Sequence, residues 1–173
     1  MHDVDASPPI HVCVGGLRRQ ELYAALDGLG VRLNDSARAL LAHGAFDRPG
    51  RDAFDVRQCT VGQLGFARGA TMASIVAGAH DVGLTLCPAI TGPYLRLVTT
   101  DQESAPDAAM SHGFAPPGSI TVAAPALDND QGAPKGFYLR AVAGVLWLRG
   151  YHATDDYMWS PNDCFAFREG LVT

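Results

Sequence analysis

The chain has 173 residues, with 18 acidic against 13 cationic side chains. A net charge of −5 works against a general DNA or RNA binder, whose affinity rests mainly on neutralising phosphates. Hydrophobic residues make up 47% and charged residues 18%, which suits a folded protein with a sizeable core rather than a disordered chain.

The opening MHDVDASPPI is polar and ends in two prolines, so residues 1–9 read as a flexible tail. It has neither a basic start nor an apolar stretch, and no run is long enough to span a bilayer. No membrane association and a cytoplasmic location are therefore expected. Leu22, Ala25, Leu26 and Leu29 form one apolar stripe of a helix that Gly30 ends. Asn34 or Asp35 can cap a second helix carrying Ala37, Leu40 and Leu41. These two helices predict a helical hairpin subdomain over residues 10–50. Its nearly cancelling charges favour packing or docking over a DNA-reading helix-turn-helix. Residues 51–173 are expected to form an α+β sheet domain.

RDAFDVRQCTV is rich in strand formers, with Phe54 and Val56 on one face and Cys59 and Val61 on the other, which predicts a bulge between them. Thr71 is a natural N-cap for a helix striped with Met72, Ile75, Val76, Ala79 and Val82, and Gly83 suits its left-handed end. The proline-rich stretch after Cys87 predicts an extended loop leading into a strand at Leu95–Thr99. Residues 101–118, with three prolines and two glycines, read as a mobile loop. SITVAA and DCFAFR are further strands. Helices come mostly before strands, which favours an α+β class: a helical hairpin followed by a mainly antiparallel sheet with one packed helix.

FYLRAVAGVLWLRG concentrates the functional signal. A two-residue turn at Ala143-Gly144 sets Arg140 opposite Trp147 and Tyr138 opposite Arg149. Phe137, Leu139, Ala141, Leu146 and Leu148 then share the core face. The other face gathers Tyr138, Arg140, Trp147 and Arg149, and each guanidinium can stack on the ring across from it, a contact of about 0.5–1 kcal/mol when exposed. Arg96, Tyr151, His152 and Trp159 are candidates to enlarge this patch.

Catalytic motifs are lacking. There is no phosphate-cradling glycine loop, nucleophile elbow or zinc-protease helix, and no cofactor is expected. His152, Asp155 and Asp156 come nearest to a metal-ligand cluster, but their spacing suits a plain turn, so no metal is expected. His43 and His80 fall near helix C-termini, where a cation is favoured. Cys13, Cys59, Cys87 and Cys164 show no C-x-x-C pairing and read as buried free thiols. Cys87 would be a nucleophile only if a histidine met it in space.

LGVRLNDSARALLAH, LGFARGATMASIVAGAHDVGLTLCPAITGPYLRL, APPGSITVA and KGFYLRAVAGVLWLRGY followed by WSPNDCFAF resemble a family of small bacterial proteins with no assigned activity. The resemblance runs from about Leu17 to Phe167. It implies a self-contained bacterial domain and transfers no site. The expectation from the residues is a non-catalytic binding or regulatory protein. Through Tyr138, Arg140, Trp147 and Arg149, with Arg96 and Tyr151, it would engage an anionic small molecule or an acidic protein surface. The alternative is a small hydrolase-like enzyme with a pocket under the 101–118 loop, drawing on Arg96, Asp101, His112 and His152.

Overall fold

The computed structural model describes residues 7–47, 50–107 and 115–170. Residues 1–6 of the expected tail, and His112 in the long loop, lie outside the described residues. The chain opens on a strand, β1 (Ile10–Val14), and not on a helical hairpin. Helices α1 (Arg19–Gly28) and α2 (Asp35–Leu41) follow, but β2 (Arg32–Leu33) between them joins the sheet. Then α1 packs on a later helix and α2 on a later strand. The missed signal was the period-two pattern of β1, where Val12 and Val14 are buried and His11 and Cys13 exposed.

After a short 3₁₀ turn (Gly44–Phe46) come β3 (Asp52–Thr60), α3 (Met72–Asp81), β4 (Leu84–Thr85), α4 (Thr91–Val98), β5 (Ile120–Val122), β6 (Gly136–Val142), β7 (Val145–Tyr151) and β8 (Cys164–Glu169). They build a mainly antiparallel sheet in the order β1-β3-β8-β5-β6-β7-β2, with β4 also pairing β8. The parallel pairs are β5 with β8 and β2 with β7. Thus the α+β class holds, with helices on both sides of the sheet.

Two cores explain why. On one side α1, α2 and α4 bring Leu22, Leu26, Leu41 and Leu95 onto Val12, Val56, Leu139, Leu148 and Ala166. On the other, Ile75 and Ala79 of α3 meet Cys59, Val61, Phe165, Phe167 and Trp159. Strand β3 feeds both: Phe54 and Val56 enter the first core, and Cys59, with Val61 just past the strand end, the second. Its pairing with β1 and β8 runs without a break, so there is no bulge. An ordinary strand covered on each face in turn gives the same sequence pattern.

Local chemistry fixes the helix ends. Asn34 Oδ1 accepts from the Ala37 N–H at 2.8 Å, and Thr71 caps α3 through the Ser74 N–H. Gly83 follows α3 with a φ of +81°, the left-handed position anticipated for it. The strand expected at Leu95–Thr99 is instead the end of α4. Pro93 falls in the first turn, where its missing N–H costs nothing. The Thr91 hydroxyl donates to the Pro88 carbonyl at 2.7 Å. Because Thr91 to Arg96 are all buried, the helix shows no polar face and reads like a strand.

Candidate functional site

Ala143 and Gly144 have φ of +49° and +78°, the two left-handed residues of a type I′ turn. The reversal is two residues long, and its register sets Arg140 beside Trp147 and Tyr138 beside Arg149, as the sequence implies. Ser104 Oγ accepts the Gly144 N–H at 2.8 Å, so the chain after α4 holds the turn. That chain also bridges Ser104 to Ala141, and the Ala105 N–H donates to the Ala141 carbonyl at 2.9 Å. The first part of the expected mobile loop is therefore bonded to β6.

This segment decides which side chains of the hairpin face a ligand could reach. Arg140 is fully buried. Its Nη2 donates to the Pro106 carbonyl, and its Nη1 lies 3.6 Å from Asp107 Oδ1. Burial first, and the Arg149 cation second, pull the Arg140 pKa down from its usual value, while Asp107 opposes them. Tyr138 and Tyr151 are almost wholly packed into the second core. Trp147 and Arg149 remain partly open. The Arg149 guanidinium lies 4.1 Å over the Trp147 ring, two residues along its own strand, and not on the Tyr138 ring across the sheet. Arg149 Nη1 also meets Asp107 Oδ1 at 3.2 Å. One carboxylate thus stands between two guanidinium groups.

Trp147 and Arg149 form the floor of an open cleft of about 550 Å³, walled by Leu33, Asn34, Asp35 and Gly150, with Tyr138, Tyr151 and His152 completing it. Asn34 reaches across to β7: its Nδ2 donates to the Gly150 carbonyl at 3.1 Å, and its Oδ1 accepts the Gly150 N–H at 2.9 Å. His152 Nε2 is 3.2 Å from Ser36 Oγ at the rim. A second hollow of about 440 Å³ shares Leu33 and Trp147 and adds Tyr23, Asp27, Arg32 and Arg38. Nothing local marks Leu33 and Asn34 as cleft walls, because two-residue β2 is too short to carry a strand signal.

Arg96 is not in the cleft. It is fully buried under the hairpin, where its Nη1 donates to Gln102 Oε1 at 2.7 Å and to the Arg140 and Trp147 carbonyls at 3.3 Å each. Its Nη2 donates to the Thr99 carbonyl. Burial pulls its pKa down to about 10 against the pull of Asp101. Gln102 passes the tie on, donating to the Gly118 and Leu139 carbonyls at 2.9 and 3.1 Å. Arg96 is a strut that binds α4, the following segment and the hairpin into one unit.

Among the described residues, the enzyme candidates do not converge. Asp101 lines a hollow with Thr100, Gln102 and Val145, separate from the cleft that holds His152, and Arg96 lines neither. The Cys87 thiol is buried, donates toward the Ala166 carbonyl at 3.7 Å, and burial pushes its pKa up to about 12, which removes it as a nucleophile. His43 Nδ1 accepts the Ala45 N–H at 3.1 Å and so caps the 3₁₀ turn that follows α2. The buried reading fails for Cys13, which is exposed on the outward face of β1. Among the described residues no group of three His, Cys, Asp or Glu could hold a metal ion, and no helix is long and apolar enough to cross a membrane. The chain matches no protein-family model, no curated protein and no solved structure.

Proposed function

We propose that the protein is a non-catalytic binding protein whose cleft takes an anionic small molecule, with Arg149 as the charged anchor and Trp147 as the stacking surface. The observation that carries this reading is the carboxylate of Asp107 beside Arg149 and Arg140, at 3.2 and 3.6 Å. Asp107 does not line the cleft, but its carboxylate on Arg149, which does, is the chemical group a ligand would bring. A planar acid can place its carboxylate where Asp107 stands and lay its ring along Trp147 or against the wall at Leu33. Asp107 is 61% exposed, so yielding its place to a ligand carboxylate leaves it hydrated rather than stranded.

The concave shape favours a small molecule over an acidic protein surface, which would touch Arg149 only at its 11% exposed margin. Arg140 and Arg96 act behind the cleft: the first balances Asp107 and the second fixes the hairpin. No observation favours the hydrolase-like alternative: among the described residues, Asp101 and His152 line separate hollows and Arg96 lines neither.

Benzoate serves as the test ligand, followed by the fluorescence of Trp147, with Trp159 as a buried background. Saturable quenching is expected. Arg149→Ala should weaken it by about tenfold to a hundredfold, the worth of a charge-assisted hydrogen bond of about 1.5–3 kcal/mol. Asp107→Asn should tighten it by removing the internal competitor. If benzoate and a set of related aromatic acids show no saturable binding, or Arg149→Ala binds as the wild type does, the reading is wrong. Binding of an acidic protein with no binding of small acids would replace the ligand class.

A further inference from the structure

A second cluster lies on β1 and β3, outside the cleft. Their antiparallel register sets His11 directly opposite Asp55 and Cys13 opposite Ala53. Period two then turns His11 and Cys13 outward while Val12 and Val14 enter the core. His11 Nδ1 is 2.8 Å from Asp55 Oδ1, and the other ring nitrogen, Nε2, is 3.8 Å from Cys13 Sγ. The side chains of His11 and Asp55 are 66% and 47% exposed, and Cys13 is exposed as well. Sulfur, imidazole and carboxylate therefore stand in line, a nucleophile beside a base that a third group orients. The opposite ring nitrogens face the two partners, so the three groups cannot chelate one ion.

Neighbouring charges are occupied with one another. Arg57, two residues beyond Asp55, is held by Glu169 of β8 with Nε–Oε1 of 2.6 Å, and Arg168 is held by Asp52 with Nη1–Oδ2 of 2.7 Å. None of the clefts described above is lined by His11, Cys13 or Asp55. Acyl-transfer chemistry would need such a cavity, with donors aimed at an oxyanion. Exchange between a thiol and a disulfide needs only an accessible sulfur and a place for its proton. The other thiols are poorly suited: burial pushes Cys59 and Cys87 up to about 12 and Cys164 up to about 11.

We propose that His11, Cys13 and Asp55 form a reactive-thiol site at which Cys13 exchanges with small disulfides. As Sγ attacks one sulfur of the disulfide, its proton passes to His11 Nε2. The new bond joins Cys13 to that sulfur, the original S–S bond breaks, and the departing thiolate takes the proton from His11 and leaves as a thiol. Cys13 is oxidised to a mixed disulfide and one half of the disulfide is reduced, so electrons and protons balance. Asp55 keeps Nε2 turned to the sulfur and stabilises the imidazolium while it carries the proton.

The test uses the native chain and 4,4′-dithiodipyridine, a disulfide without charge at neutral pH, so that Asp55 does not bias its approach. One fast-reacting thiol per chain is expected, and Cys13→Ser should remove it. His11→Gln should slow that thiol by about tenfold at neutral pH, because no ring nitrogen is left beside Sγ to take its proton during the attack. The gap should close above about pH 10, where ordinary thiols ionise unaided. Asp55→Asn should fall between. A fast thiol that survives Cys13→Ser overturns the proposal. So does a His11→Gln rate equal to wild type at neutral pH, or a gap that is the same at every pH, as simple shielding would give. Circular dichroism of each variant confirms that the sheet is intact, and all three positions lie on an exposed face.

Discussion

Trp159→Ala should cost about 3–5 kcal/mol of stability, the usual range for emptying a fully buried large aromatic site. The indole is 1% exposed and is ringed edge-on by Tyr151 at 5.6 Å, Tyr157 at 4.9 Å and Phe165 at 4.9 Å. Each such pair contributes about 0.5–1.5 kcal/mol beyond the area it buries. The backbone at this point also carries weight. Ala70 and Trp159 exchange hydrogen bonds in both directions, at 3.1 and 2.9 Å, and so tie the irregular stretch before β8 to the entrance of α3. A Cβ on Gly69 would lie 2.3 Å from the Trp159 carbonyl oxygen, so the two chains meet at a distance only glycine permits. Guanidinium unfolding measures the loss, and near-ultraviolet circular dichroism should lose its aromatic bands in parallel. Trp159→Phe should recover much of the deficit. A loss under about 1 kcal/mol for Trp159→Ala would mean that the second core does not depend on the indole.

How much of this was readable from the residues depends on the range of the contacts involved. The hairpin was readable to the residue, because the Ala-Gly turn and period two are local rules. Thr71, Gly83 and the stripe of α3 were readable for the same reason. Which face of the hairpin stays open was not. Arg140 and Arg149 look equivalent in sequence, yet Ser104 to Asp107 cover the first and leave the second at a cleft, and that decision comes from a segment some forty residues away. Arg96 shows the same limit. As an arginine flanked by Leu95 and Leu97 it reads like an outward strand residue, whereas the helix turns it under the sheet onto the carbonyls of β6 and β7. The His11–Asp55 pair needed the β1–β3 register, and β1 itself is visible only as three alternating aliphatic residues behind a polar start.

Gly150→Ala should cost about 3–5 kcal/mol and loosen the cleft as well. Gly150 lies on β7 where α2 crosses it, and an added Cβ would meet Ser36 C at 2.7 Å and Ala37 N at 2.9 Å. Both are backbone atoms in the first turn of α2, so no side chain can swing aside and the helix itself must move. Overpacking of this kind costs about 1–3 kcal/mol. The movement also stretches the bonds by which Asn34 holds Gly150 while capping the Ala37 N–H, at about 1 kcal/mol each. Asn34→Ala isolates the bonding contribution, since it removes both bonds to Gly150 and the cap without crowding and should lose about 2–3 kcal/mol. Because Asn34, Asp35 and Gly150 wall the cleft over Trp147 and Arg149, Gly150→Ala should also weaken benzoate binding with Arg149 untouched. Paired unfolding and titration experiments read both effects. A variant within about 1 kcal/mol of wild type would show that α2 gives way easily, and undiminished binding would show that the wall it forms plays no part in holding the ligand.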